Sequence, residues 1–142
     1  MDLADLFDRH AAIAAAWSDD VRRSYQAFTD RIARDEPLTV TLGKGGLSYY
    51  AAAGPPPGAT VFVAHFNAAP RAGQTDRGFA DFRRDTLASL IDVEALLAEL
   101  RAALAPETRV TAGKVWCGLH FPIEHAPRVA DALRDLLVAR LD

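Results

Sequence analysis

The spacing of the apolar residues changes along the chain, and this change limits the folds that the chain can adopt. Before Pro37 they recur every three or four residues, as on the buried stripe of a helix. With His10, the residues of this stripe are Leu3, Leu6, Phe7, Ile13, Trp17, Val21, Tyr25, Phe28 and Ile32. From Leu38 they alternate with polar residues, which is the spacing of a half-buried strand. The sequence therefore predicts a fold that combines helices with strands.

The helical region, residues 1–36, has a break whose form the sequence leaves open. Ser18, Asp19 and Asp20 are good N-cap residues, so the spacing permits either one kinked helix or two short helices. Pro37 ends the region in both cases, because the residue before a proline is pushed out of the α conformation.

After Pro37 we predict three strands, two helices, a fourth strand and a final helix. The first two strands form a hairpin around the glycine-rich turn at residues 43–46. The predicted strands cover residues 38–42, 47–52, 60–67 and 109–123. The predicted helices carry Phe79, Phe82 and Leu87, then residues 92–104, then residues 127–141. This order predicts one α+β domain over residues 1–142, with a single mostly antiparallel sheet of about four strands packed against helices on one face.

Composition narrows the functional classes. The chain has 142 residues and a net charge of −3, and this mild acidity argues against a nucleic-acid-binding protein, which needs a basic face. No apolar run approaches the length of a membrane span, and residues 1–5 lack the start of a secretory signal, so we expect a cytoplasmic protein. Arginine outnumbers lysine 14 to 2, as in GC-rich bacterial genomes. No pattern indicates a cofactor.

The two faces of the predicted strands differ in chemistry. In the last strand one face is apolar and is expected in the core, and it carries Val115, Cys117, Leu119, Phe121 and Ile123. The other face carries Lys114, Trp116, Gly118 and His120. In the third strand Phe62, Ala64 and Phe66 suit the core, which leaves His65 and Asn67 on the opposite face.

The candidate ligand-binding residues are the aromatic, imidazole and amide side chains of the non-core face, joined by an arginine of the loop that follows the third strand. They are Tyr50, His65, Asn67, Arg71, Trp116 and His120. Aromatic walls with a few convergent polar groups are typical of small-molecule sites. The same residue types also favour solvated strands, so a face without a ligand is the alternative. We predict that this face binds a small ligand or a protein partner.

Three further interpretations remain open. Trp17, Tyr50 and Trp116 are residue types enriched in protein interfaces, which favours an interaction module or a homodimer. His65 and His120, with Glu124, would form a metal site if they met, although we assign no metal ligands. The two histidines also titrate near neutral pH, as the general acid and base of a small enzyme do.

Part of the C-terminal third resembles a known family. A helix through Leu100 precedes Gly113-Lys114, then the Phe-Pro-aliphatic step Phe121-Pro122-Ile123, then a terminal helix through Leu137 and Arg140. This order is similar to that of the small bacterial frataxin-like family typified by YdhG. The resemblance implies an α+β sandwich. It also implies a metal-facing surface on the acidic first helix, which carries Asp2, Asp5 and Asp8.

Overall fold

In the described part of the chain, six strands form one antiparallel sheet in the order β1-β2-β3-β4-β6-β5. The computed structural model describes residues 2–34, 38–43, 46–51, 60–66 and 77–141. The strands are β1 (Leu38–Gly43), β2 (Gly46–Ala51), β3 (Thr60–Phe66), β4 (Arg77–Arg83), β5 (Arg109–Ala112) and β6 (Trp116–Pro122). The helices are α1 (Ala4–Arg9), α2 (Ala11–Ala14), α3 (Asp19–Ile32), α4 (Arg84–Ala88), α5 (Val93–Ala103) and α6 (Ala126–Leu136). Short 3₁₀ turns, Ile123–His125 and Val138–Leu141, flank α6. The α+β class is confirmed.

The N-terminal region is divided into separate helices at Ser18. The Ser18 side chain caps α3 by accepting a hydrogen bond from the Val21 amide at 3.2 Å. Trp17, which the sequence suggested as an exposed interface residue, is buried. Its ring packs against Phe7 at 5.9 Å and Tyr25 at 4.7 Å between centroids, so it belongs to the core.

The prediction of about four strands was wrong in two places. Residues 77–83, expected in a helix with Phe79 and Phe82, form β4, which pairs with both β3 and β6. Residues 109–123, expected as one strand, form the β5–β6 hairpin. Its turn is closed by the Gly113 amide, which donates a hydrogen bond to the Trp116 carbonyl at 2.9 Å. A Cβ at Gly113 would lie 2.6 Å from that carbonyl oxygen, so the turn requires glycine.

The helices cover one face of the sheet. Even-numbered residues of β4 and odd-numbered residues of β6 are buried beneath them, including Phe82, Leu119 and Phe121. The helices contribute Phe28, Ile32, Leu96, Leu100, Val129 and Leu133 to the same core. On the opposite face, the described side chains of β4, β5 and β6 are exposed or half-buried. We call this side the open face. No helix in the described part of the chain is both long and apolar enough to cross a membrane.

Candidate functional site

The alternation predicted for the last strand is confirmed over β6. Cys117, Leu119 and Phe121 are buried, whereas Trp116 is 50% exposed and His120 is partly exposed on the open face. The core position predicted for Val115 was wrong, because Val115 lies in the turn before β6 and is 48% exposed. Cys117, buried as expected, is unsuited to act as a nucleophile.

Pairing of β4, β6 and β5 brings polar side chains together around Gly118. Gly118 lies opposite Asp81 on one side and Thr111 on the other. Two residues further along β6, His120 lies between Phe79 on β4 and Arg109 on β5. These strands enclose a concavity of about 370 Å³ lined by Asp81, Thr111, Trp116, Cys117 and His120, which we call the hollow.

Gly118 lies between Asp81 and Thr111, two residues of the hollow, and any side chain at this position would displace Asp81. A Cβ at this position would overlap the Asp81 carboxylate oxygen Oδ1 and lie 3.3 Å from Thr111 Oγ1. Thr111 Oγ1 in turn donates a hydrogen bond to the Gly118 carbonyl at 3.3 Å. The missing side chain therefore lets a carboxylate and a hydroxyl approach each other across three strands.

His120 forms one end of the hollow, and its surroundings favour the neutral imidazole. Its ring meets Phe79 edge-on, with 4.7 Å between centroids and 72° between planes. Burial lowers the pKa of His120 below its ordinary value, the Asp81 carboxylate opposes this by raising it, and the Arg109 and Arg77 charges lower it further. A neutral imidazole both donates and accepts a hydrogen bond at pH 7.

This balance predicts the titration of His120. We expect its pKa in the folded protein to lie below that in the urea-unfolded chain, as measured by the imidazole proton shifts in NMR. The stability that this shift contributes is complete above the unfolded pKa of about 6.5 and is lost as the pH falls. Arg109→Gln should raise the pKa of His120 and Asp81→Asn should lower it. A folded-state pKa above the unfolded one would show that this description of the site is wrong.

Trp116 forms the other end of the hollow. The Arg83 guanidinium carbon lies 5.9 Å from the centre of the indole ring. Arg83 is itself held by Asp85, to which Nε and Nη2 donate hydrogen bonds at 3.1 and 2.9 Å. The indole is therefore positioned by a fixed cation while half of its surface remains accessible.

Of the six predicted ligand-binding residues, the structure brings Trp116 and His120 to one concavity. Tyr50 is not there: β3 and β4 separate its strand from β6, which amounts to about 14 Å at normal strand spacing. Tyr50 is half-buried, next to a β-bulge, while its neighbour Tyr49 is buried against Thr29. Asn67 and Arg71 lie outside the described residues.

The metal interpretation assumed that His65 and His120 stand on neighbouring strands, and this was wrong. The β4 strand lies between them, and the backbone of His65 pairs with Phe79, which pairs with His120. Glu124 lines a different surface, next to α3. Across the described ranges, no three His, Cys, Asp or Glu residues are grouped so as to hold a metal ion.

Sequence reasoning missed Asp81 and Thr111, which complete the hollow. Asp81 was hidden because Phe79, Phe82 and Leu87 suit helical spacing, although Gly78, Ala80 and Phe82 also alternate with Phe79, Asp81 and Arg83. Thr111 was hidden because the turn at Gly113 was read as continuous strand. The signal for the turn was the Gly113-Lys114 pair.

A larger concavity of about 490 Å³ lies between α3 and the start of α6. Its floor is largely apolar, with Phe28, Ile123 and Pro127, and on its rim Asp20 forms an ion pair with Arg23. Unlike the hollow, it has neither an indole nor an imidazole among its lining residues.

Known proteins give no guide to the site. No protein-family model, no curated protein and no solved structure matches the chain. The resemblance of residues 94–141 to the frataxin-like family therefore stays a prediction.

Proposed function

We propose that the protein is a ligand-binding domain whose hollow takes a small planar molecule. The observation that carries this proposal is that Asp81, Thr111, Trp116 and His120 line one concavity of the open face. Its volume of about 370 Å³ falls within the range of small-molecule sites, roughly 300 to 1,000 Å³. We also propose that this binding takes place in the cytoplasm of a bacterium.

The lining of the hollow determines what such a ligand would carry. The indole of Trp116 offers an apolar face to a planar ring. The Asp81 carboxylate accepts hydrogen bonds, so the ligand would present an N–H or O–H group towards it. The neutral imidazole of His120 pairs with either a donor or an acceptor at the opposite end.

A second candidate function is acid–base catalysis in the same hollow. The observation that favours it is the electrostatic interaction of Asp81 with His120, since a carboxylate beside an imidazole is a common acid–base arrangement. Cys117 is buried, and Thr111 donates its hydroxyl proton to the Gly118 carbonyl. Among the described residues of the hollow, neither side chain is poised as an activated nucleophile, so ligand binding is the better supported function.

Thermal unfolding in the presence of a metabolite library tests the proposal. We expect some aromatic compounds to raise the midpoint temperature of the wild-type protein, because binding to the native state stabilises it. Trp116→Ala and His120→Ala should remove these shifts, whereas Leu90→Ala should keep them, since Leu90 is also exposed but does not line the hollow. A library without any stabilising compound, or shifts that survive both hollow variants, would contradict the proposal.

A further inference from the structure

Two arginines stand beside the His120 end of the hollow. Arg109, on β5, lies directly opposite His120 in the strand register. Arg77, on β4, precedes Phe79 by two residues and so points to the same face as Phe79. Arg109 is the cross-strand neighbour of His120 and Arg77 is a diagonal one, so the register places both guanidinium groups within reach of the imidazole. Two cations therefore surround one end of the hollow.

Several surface arginines of the described chain are held in ion pairs with carboxylates, whereas these two are not. Arg83 is bound by Asp85, Arg84 by Glu94 and Arg140 by Glu99. For Arg77 and Arg109, the described residues supply neither an ion pair nor a hydrogen-bonded carboxylate. The chain as a whole is acidic, with a net charge of −3, so this local positive charge is not a consequence of overall composition.

The charges are arranged along the length of the hollow. Arg77 and Arg109 flank the His120 end, and Asp81 lies nearer its middle, opposite Gly118. The Trp116 indole closes the far end, four residues from His120 along β6, or about 13 Å of extended strand. This span suits a molecule of two rings, or of one ring on a chain of several atoms, with the charged group at the end away from Trp116.

We infer that the ligand is an aromatic acid, whose anionic group is bound by Arg77 and Arg109 beside His120 and whose ring packs on Trp116. The inference rests on the proposed function and names its ligand class. Arginine pairs bind carboxylates and phosphates through charge-assisted hydrogen bonds, and both anions present the same chemistry here. Asp81 determines which way round the ligand binds, because its carboxylate repels a second anion and accepts a hydrogen bond from a donor group on the ring.

Matched fragments distinguish charge recognition from ring recognition. The probes are one-ring and two-ring aromatic carboxylates, the corresponding carboxamides and the corresponding phosphate monoesters, titrated by NMR. We expect the carboxylates, the phosphate monoesters or both to bind at least about tenfold more tightly than the carboxamides. The series that binds more tightly identifies the anion that the site prefers. Higher salt should weaken binding of the acids but not of the carboxamides.

Paired variants assign the effect to these two arginines. The double variant Arg77→Gln with Arg109→Gln should bind the acids at least about tenfold more weakly than the wild type does. Its affinity for the carboxamides should stay within about twofold of the wild-type value. The control, Arg101→Gln with Arg128→Gln, removes the same charge from exposed helix positions and should keep the preference for acids. Equal affinity of acids and carboxamides, both lost in Trp116→Ala, would overturn the aromatic-acid inference and leave the proposed function standing. Absence of any fragment contact with the hollow would overturn both.

Discussion

Phe82→Ala is expected to lower the free energy of unfolding by about 3 to 5 kcal/mol, as measured by urea denaturation. Phe82 is 1% exposed on the helix-covered face of β4, opposite Cys117, so the truncation leaves a cavity in the core. This is the largest effect on stability that we predict. It tests the assignment of residues 77–83 as a strand together with the side of the sheet that the helices cover.

The matched control is Phe79→Ala in the same strand. In a helix, residues 79 and 82 would share one face and both truncations would be severe. In β4 they point to opposite faces, and Phe79 is half-buried against His120, so we expect a loss of about 1 kcal/mol. Losses of similar size in the two variants would contradict the position of β4 in the sheet.

Gly118→Val is expected to abolish ligand binding in the hollow, which is the largest effect on binding that we predict. The new side chain would overlap the Asp81 carboxylate and fill the space between Asp81 and Thr111. Asp81 must then move, at a cost of about 1 to 3 kcal/mol in stability, while the core beneath the sheet is unchanged. Fragment titration by NMR, with circular dichroism as a check of folding, measures both effects.

Gly43→Val is the matched control for this change. A Cβ at Gly43 meets no other atom within 4 Å, so the same substitution there should leave binding unchanged. Asp81→Ala removes the atom that clashes, and in the Gly118→Ala background it should recover part of the lost stability, as a double-mutant cycle would show. Full binding by Gly118→Val, or a loss of equal size in Gly43→Val, would show that ligands bind elsewhere.

Local patterns predicted the elements that a few neighbouring residues specify. The alternation over residues 117–121 identified the buried and open faces of β6, because strand geometry sets this alternation without reference to other strands. The apolar stripes of α3, α5 and α6 likewise follow from helical spacing, and their apolar residues are the ones found in the core. The break at Ser18 was visible in its capping residues, although its form was not.

The rest depends on which strands pair, and the pairing of β4 with β6 joins residues that are far apart in sequence. Asp81 meets Gly118 and Thr111 only because β4 pairs with β6 and β6 with β5, and a short segment such as residues 77–83 does not reveal which strands it joins. The same pairing places Arg109 beside His120 and separates Tyr50 from both. Local spacing assigns a residue to a face, but strand order decides which residues of that face meet.

The most direct measurement is a map of ligand-induced shifts over the assigned backbone and indole NMR signals, recorded with the fragment that binds most tightly. We expect the largest shifts at Thr111, Gly118, His120 and the Trp116 indole, with little change at Ala27 and Ile123 in the larger concavity beside α3. Shifts centred on that concavity, with the signals of the hollow unchanged, would contradict the claim that the open face is the binding site.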